Sequence, residues 1–168
     1  LLLRQDNADL RLRKKGYQAG LISEEDYQKI LTKEEQIKTE ISRVEHTNIG
    51  ANKEVQTLLE SYNSTPLKSG TTLAELIRRP ELSYEAIKPL DKERPELPWD
   101  VQEQVDINIK YDGYIRRQLK QVEQFKKLEA KKIPTDLDYE KVGSLRIEAR
   151  QKLEAYRPIS IGQASRIS

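Results

Sequence analysis

The segment PWDVQEQVDINIKYDGYIRRQLKQVEQFKKLEAKKIP, residues 98–134, decides the fold class. A proline stands at each end of the segment, and no proline lies between them. Proline is favoured at the first position of a helix but breaks a helix interior. Its apolar residues recur mostly at intervals of three or four, the spacing of one helical face. We therefore predict one long helix over about residues 98–131, with its apolar residues facing the core, among them Ile115, Leu119 and Val122.

The flanking sequence predicts further helices, each preceded by a residue type that caps helix N-termini. Upstream helices are expected after Asp6 or Asn7 (ending at Gly16), Ser23, Asn52, Thr72 and Ser83. Downstream helices are expected at about 138–142, at 145–156, and from Ser160 to Ser168. No alternating pattern typical of a strand extends beyond a few residues, so the predicted class is all-α.

The domain organisation is predicted from the same breaks. Residues 89–98, PLDKERPELP, contain three prolines and are interpreted as a linker. The prediction is a first helical lobe at 21–94 and a second at 95–168, with 1–20 as a junction to a missing upstream domain. The absence of Met and the opening Leu1-Leu2-Leu3 favour a piece of a longer protein.

Composition argues against several functional classes. The chain has no Cys, which excludes disulfides and thiolate chemistry, and no apolar run approaches the roughly 20 residues of a membrane span. A cytoplasmic location is expected. Neither a glycine-rich phosphate loop nor a zinc-ligand pattern is present. The only histidine, His46, is expected to lie near a helix C-terminus, and we predict no catalytic, cofactor or metal site in this chain.

A local excess of positive charge is the first functional signal. Residues 116–132 contain seven basic residues against two glutamates, although the net charge of the chain is only +2. Basic side chains beside aromatic ones can neutralise phosphates and stack on unpaired bases. The alternative is a solvated helix face. The candidate nucleic-acid contacts are Lys110, Tyr111, Tyr114, Arg116, Arg117 and Lys120, with Arg78 and Arg79 as a second patch.

Two glycine turns, in Val142-Gly143-Ser144-Leu145 and Ile161-Gly162-Gln163-Ala164, are the second signal. Short helices joined by such turns are typical of a hairpin that meets a nucleic-acid backbone through its amides, or of a small packing subdomain.

Five stretches together resemble one known family: LLLRQDNADLRL (1–12), LIRRPELSYEAI (76–87), EQVDINIKYDGYIRRQ (103–118), KIPTDLDYEKV (132–142) and RPISIGQASRIS (157–168). In this order they resemble the C-terminal region of the GidA/MnmG family, the tRNA uridine 5-carboxymethylaminomethyl modification enzymes. The chain departs from the family at Gly143-Ser144-Leu145, where Gly-Leu-Ser is common, and it stops where family members continue through a further helix or two.

The resemblance implies an all-α domain attached to an FAD- and NADH-binding portion of a homodimeric enzyme that modifies the wobble uridine of tRNA. It also implies two partners, tRNA and the GTPase MnmE (TrmE), with the GTPase contact toward 133–168. The partner-binding candidates are Arg157, Ile161, Gln163 and Arg166. A coiled-coil scaffold without a nucleic-acid role and a DNA-binding hairpin at 142–168 are the alternatives.

Overall fold

The computed structural model describes residues 2–167 and confirms an all-α class. Its helices are α1 Ala8–Gln18, α2 Glu24–His46, α3 Lys53–Ser61, α4 Leu73–Ile77, α5 Trp99–Ala130, α6 Ile147–Tyr156 and α7 Ile161–Ala164. Single 3₁₀ turns occupy Lys88–Leu90 and Tyr139–Lys141. Two short strands, β1 Asn48–Ile49 and β2 Thr71–Thr72, pair antiparallel with Asn48 opposite Thr72.

Most helix starts agree with the capping residues chosen from the sequence. Side-chain oxygens of Ser23, Asn52, Thr72 and Ser160 each accept a hydrogen bond from the backbone N–H three residues later. These bonds satisfy amides that the first helical turn leaves without a partner.

The predicted end of α1 at Gly16 is wrong. The helix continues to Gln18 and closes at Gly20, whose φ of 70° is the left-handed conformation that glycine adopts without strain. The N–H of Leu21 then donates to the Gly16 carbonyl, 2.8 Å away, and the N–H of Gly20 to that of Tyr17, 2.9 Å away. This paired closure is the Schellman motif, so the second glycine ends the helix.

Two further predicted helices are only turns. After Ser83, residues 84–87 form turns that lead into the 3₁₀ turn Lys88–Leu90, because Pro89 lacks the N–H that an α-helix would use. The segment 138–142 likewise contains only a 3₁₀ turn. The final helix ends at Ala164, and Ser168, to which it was expected to continue, lies outside the described residues.

The chain forms two compact units, Leu1–Tyr114 and Ile115–Ser168, called units 1 and 2 below. The sequence predicted lobes at 21–94 and 95–168, which puts the boundary between them before α5, whereas the two units meet within α5. Unit 1 contains the larger core, to which α2, α3, α4 and the first part of α5 all contribute. Its buried apolar side chains include Ile37, Val44, Val55, Leu59, Leu73, Leu76, Ile77, Leu82, Ile87, Val101, Val105 and Ile109.

A buried ionic network lies beside this core. Arg43 donates from Nε to Glu40 Oε2 at 2.9 Å and from Nη1 to Asp91 Oδ1 at 3.0 Å. The Tyr84 hydroxyl donates to Glu40 Oε1 at 2.7 Å, and Glu40 is only 2% exposed. The hydrogen bonds that Arg43 donates to Glu40 and Asp91 raise the pKa of Arg43. Burial, together with its hydrogen bond to Glu40, raises the pKa of Tyr84.

The proline-rich segment 89–98, interpreted from its sequence as a linker, is anchored to unit 1. Asp91 is buried in the ionic network, and the Arg94 guanidinium lies 3.9 Å from the centroid of the Tyr84 ring. Arg94 Nη1 also donates to the Tyr84 carbonyl at 2.6 Å. Leu97 packs against the core, so the segment is a packed connection.

The N-terminal residues also belong to unit 1. Gln104, 1% exposed, donates from Nε2 to Asp6 Oδ2 at 2.7 Å, and Arg4 forms an ion pair with Asp6 at 2.9 Å. The hydrogen bonds from Arg4 and then Gln104 lower the pKa of Asp6 from its usual 3.8 to about 2. Lys33 lies 2.8 Å from a carboxylate oxygen of Asp9, which fixes α1 against α2.

Unit 2 is held together by a two-stranded backbone contact. The N–H of Ile133 donates to the Ile159 carbonyl at 3.1 Å, and that of Ile161 donates to the Lys131 carbonyl at 2.9 Å. Ser160 Oγ donates to Glu129 Oε2 at 3.0 Å. Gly162 lies so close to Glu129 that a Cβ would fall 2.6 Å from its carboxylate carbon. The end of α5 and the start of α7 are therefore closely packed.

Candidate nucleic-acid interface

The basic side chains of α5 that belong to unit 2 lie mainly on one helical face. Arg116, Lys120 and Lys127 are separated by four and seven positions, which brings them to the same side of a helix. All three are exposed, as is Arg117 on the neighbouring side. This arrangement can present several cationic groups to a polyanion at once.

In unit 1, α5 carries the two candidate tyrosines. Tyr111 and Tyr114 are 43% and 55% exposed, and their ring centroids lie 6.3 Å apart. Lys110 is less open, because its ammonium group lies 3.3 Å from a carboxylate oxygen of Asp106. The tyrosines therefore offer ring surface for stacking, whereas the charge of Lys110 is partly neutralised.

The expectation that Leu119 and Val122 face the core is wrong. They are 49% and 38% exposed, and Phe125 nearby is 56% exposed. The first part of α5 buries its apolar face against unit 1, but the helix continues beyond that core. Ile115, at the start of this stretch, is half-buried. Helical periodicity identified an apolar face without showing what covers it.

The second basic patch predicted from the sequence, Arg78 and Arg79, is engaged within unit 1. Arg78 forms ion pairs with Glu75 and, at 3.5 Å, with Glu45. Arg79 donates from Nη1 to Ser64 Oγ at 2.8 Å and also to a backbone carbonyl. Both arginines thus connect the end of α4 to neighbouring segments.

Three of the four partner-binding candidates also have intramolecular roles. Arg157 ends α6 in the left-handed conformation, at a φ of 43°, and donates to the Leu137 carbonyl at 3.1 Å. Gln163 Oε1 accepts from the N–H of Ile159 at 2.8 Å, and Arg166 forms an ion pair with Glu129. Ile161, 41% exposed, remains open.

Ile161 borders a shallow groove between α6 and α7. The apolar part of its lining is Ala149, Leu153, Ile161, Ala164 and Ile167, with Arg146 and Lys152 among its polar residues. With only four residues, α7 does not supply the recognition helix that a DNA-binding hairpin requires.

Residues 2–167 contain no group of three or more His, Cys, Asp and Glu side chains placed to hold a metal ion. Within the same range, no helix combines the length and apolar character of a membrane span. Nδ1 of His46 lies 2.7 Å from the Ser42 carbonyl in the last turn of α2, where a cation interacts favourably with the helix dipole.

One basic surface was missed when candidates were chosen from the sequence. Residues 11–15, RLRKK, lie in α1, and all five are exposed. Four cations within five residues could have indicated this surface in the sequence, but the segment was interpreted only as a junction to an upstream domain.

Comparison with known proteins identifies both parts of the chain. Residues 24–119 match the family model described as the tRNA modifying enzyme MnmG/GidA C-terminal helical domain, and residues 121–168 match the corresponding C-terminal helical bundle. The tRNA uridine 5-carboxymethylaminomethyl modification enzymes MnmG of Lachnoclostridium phytofermentans and Caldicellulosiruptor saccharolyticus are 63% and 55% identical over 168 residues. The whole chain aligns, but it spans only 27% of the length of each relative.

A solved structure supports the same assignment. Aquifex aeolicus GidA, in its form II crystal, superimposes with a TM-score of 0.67 and 36% sequence identity, over 98% of this chain and 25% of that one. The chain therefore belongs to the MnmG/GidA family of tRNA-modifying enzymes and matches its C-terminal helical domain and helical bundle.

Proposed function

We propose that this chain is the part of a tRNA wobble-uridine-modifying enzyme that binds tRNA and a partner GTPase, MnmE (TrmE). The proposal includes a homodimeric, cytoplasmic parent whose FAD and NADH are bound outside this chain. The observation that carries it is the exposed basic face of α5 in a chain of a tRNA-modifying family.

The physical basis for tRNA binding is charge neutralisation. Arg116, Arg117 and Lys120 place cationic groups at the surface, and their aliphatic stems can cover the helix while the charged ends contact phosphates. Each phosphate that a protein neutralises releases counterions, which makes binding depend on salt. Tyr111 and Tyr114 add exposed rings for stacking on unpaired bases.

The test is the variant Arg116→Ala/Arg117→Ala in the full-length enzyme. Two lost phosphate contacts should weaken tRNA binding and reduce the slope of log affinity against log salt by roughly 1.4–1.8. Helicity by circular dichroism should be nearly unchanged. Lys29→Ala/Lys38→Ala is the matched control, because it removes two exposed cations of unit 1. Affinity and slope equal to those of the control would refute this role for the two arginines.

The proposed GTPase contact is the α6–α7 groove of unit 2. Its support is the family resemblance together with the exposure of Ile161 at the groove edge. Ile161→Arg in the full-length protein should weaken capture of the GTPase, whereas Ile147→Arg should not. Ile147 is 73% exposed and does not line the groove, which makes it a control for added charge. Equal capture by both variants would place the contact elsewhere.

A helical interaction scaffold is the second candidate function. The exposed Leu119, Val122 and Phe125 favour it, because helices usually pair through apolar side chains. Burial of Val101 and Val105 in the core of unit 1 counts against pairing along the whole helix. The discriminating measurement is sedimentation velocity of the full-length protein with and without Leu119→Asp/Val122→Asp. Dissociation of its oligomer, with tRNA affinity retained, would favour the scaffold.

A further inference from the structure

Three cations of α1, Arg11, Lys14 and Lys15, differ from most helical cations in this chain because no acidic residue lies three or four positions away. Elsewhere a lysine commonly pairs with a carboxylate four residues earlier, as Lys29, Lys38 and Lys110 do with Glu25, Glu34 and Asp106. Arg11, Lys14 and Lys15 have only Asn, Ala, Leu, Gln, Tyr or one another at the equivalent spacings. In the part of the chain that the structure describes, their side chains form no ion pair and no hydrogen bond.

The geometry of α1 holds these three cations together on one face. Residues separated by three and four positions are neighbours on a helix surface, so Arg11 faces both Lys14 and Lys15. All three are exposed. The opposite side of α1 is fixed to unit 1 through the Asp9–Lys33 ion pair. The like charges are therefore presented outward on an anchored helix.

Local stabilisation does not account for the cluster. Like charges three or four residues apart destabilise a helix. Lys15 lies in the last turn, where the helix dipole favours a cation, but Arg11 lies near the middle of α1. An external anion would relieve the repulsion among all three.

We propose that the α1 basic face, formed by Arg11, Lys14 and Lys15, is a second phosphate-contacting surface that binds the RNA backbone. This inference rests on the proposed tRNA-binding function and extends it to a helix of unit 1 that precedes the residues matched by the two family models. The contact is independent of nucleotide sequence, since lysine and arginine neutralise phosphates without reading base edges.

The composition of the face favours RNA over an acidic protein. Protein interfaces usually centre on buried apolar or aromatic side chains. The exposed positions at the centre of this face are Arg11, Lys14, Lys15 and Gln18, all of them polar, and the exposed Leu12 and Tyr17 lie at its edges. The centre of the face therefore supplies charge and hydrogen bonds but no apolar anchor.

The experiment measures binding of an unmodified tRNA transcript to the full-length protein between 0.05 and 0.2 M salt. The variant Arg11→Gln/Lys14→Gln/Lys15→Gln should bind about tenfold or more weakly at low salt, with the salt slope reduced by up to roughly 2.7. The control Lys29→Gln/Lys38→Gln/Lys88→Gln removes the same charge from lysines that are each paired with a glutamate. It should leave the slope close to that of the wild type.

Further arms separate the possible results. The charge-preserving variant Arg11→Lys/Lys14→Arg/Lys15→Arg should bind like the wild type, and the far-ultraviolet circular dichroism of all variants should match. An unchanged affinity and slope in the glutamine variant would overturn the inference. So would loss of GTPase binding with tRNA binding intact, because the partner would then be a protein. If Arg116→Ala/Arg117→Ala weakens tRNA binding while the α1 variant does not, the proposed function stands and this inference fails.

Discussion

Replacing Gly162 by Ala tests the close packing of α7 against α5. A Cβ at this position would lie 2.6 Å from the carboxylate carbon of Glu129 and 2.9 Å from its backbone nitrogen. The carboxylate can swing away, but only by giving up the hydrogen bond from Ser160 Oγ. The contact with the backbone nitrogen of Glu129, which lies in α5, is relieved only if α7 shifts away. Both adjustments cost free energy, so we expect the variant to be destabilised.

The magnitude follows from three contributions. Overpacking of this kind costs about 1–3 kcal/mol, and a lost hydrogen bond to a charged group costs about 1.5 kcal/mol. The higher helix propensity of alanine relative to glycine offsets this destabilisation by about 1 kcal/mol. The expected net loss in the free energy of unfolding of unit 2 is therefore about 1.5–3.5 kcal/mol.

Hydrogen–deuterium exchange is the appropriate assay because it reports on unit 2 locally. The amides of Ile133 and Ile161, which form the backbone contact, should exchange roughly 10-fold to 400-fold faster in the variant if exchange proceeds through local opening. Gly143→Ala is the control, since nothing lies within 4 Å of a Cβ there. Exchange in Gly162→Ala that is no faster than in Gly143→Ala would refute the packing argument.

Three other perturbations have defined outcomes. Gly113→Ala should stabilise the chain by about 0.5–1 kcal/mol in thermal denaturation, because the site is within a helix and has open space for a Cβ. The pKa of Asp6 is lowered from its usual 3.8 to about 2, so its ionised carboxylate should stabilise the fold at pH values above 3.8, and this stabilisation should be lost as the pH falls through 2. Asp6→Asn should therefore flatten the acid side of a plot of the free energy of unfolding against pH. Arg43→Met should cost about 3–5 kcal/mol in urea denaturation, because Glu40 and Asp91 would stay buried without their counter-charge; a loss below 1 kcal/mol would contradict this.

The sequence predicted features that depend on neighbours along the chain. The capping residues Ser23, Asn52 and Thr72 mark real helix starts, and the long helix predicted at about 98–131 is found at Trp99–Ala130. These succeed because capping and periodicity act over only a few residues.

Features that depend on tertiary contacts were not predictable in the same way. Periodicity assigned Leu119 and Val122 to a core, but whether an apolar face is covered depends on distant segments. Asp91 was placed in a linker because prolines surround it, whereas its partner Arg43 lies 48 positions earlier. For the candidate site, sequence located the basic residues of α5 but not the intramolecular partners of Arg78 and Arg79.

The ionic network of unit 1 also restricts how this family can change over time. An apolar trio of similar volume could serve in place of Glu40, Arg43 and Asp91, since buried ion pairs are often no more stable than well-packed hydrophobic groups. Replacing Arg43 first, however, leaves two buried carboxylates without their counter-charge. Replacing either acid first leaves Arg43 paired with the other one. Sequences that have lost Arg43 alone should therefore be disfavoured by selection. Among relatives, we expect Arg43 to be exchanged only together with Glu40 and Asp91 or after one of them.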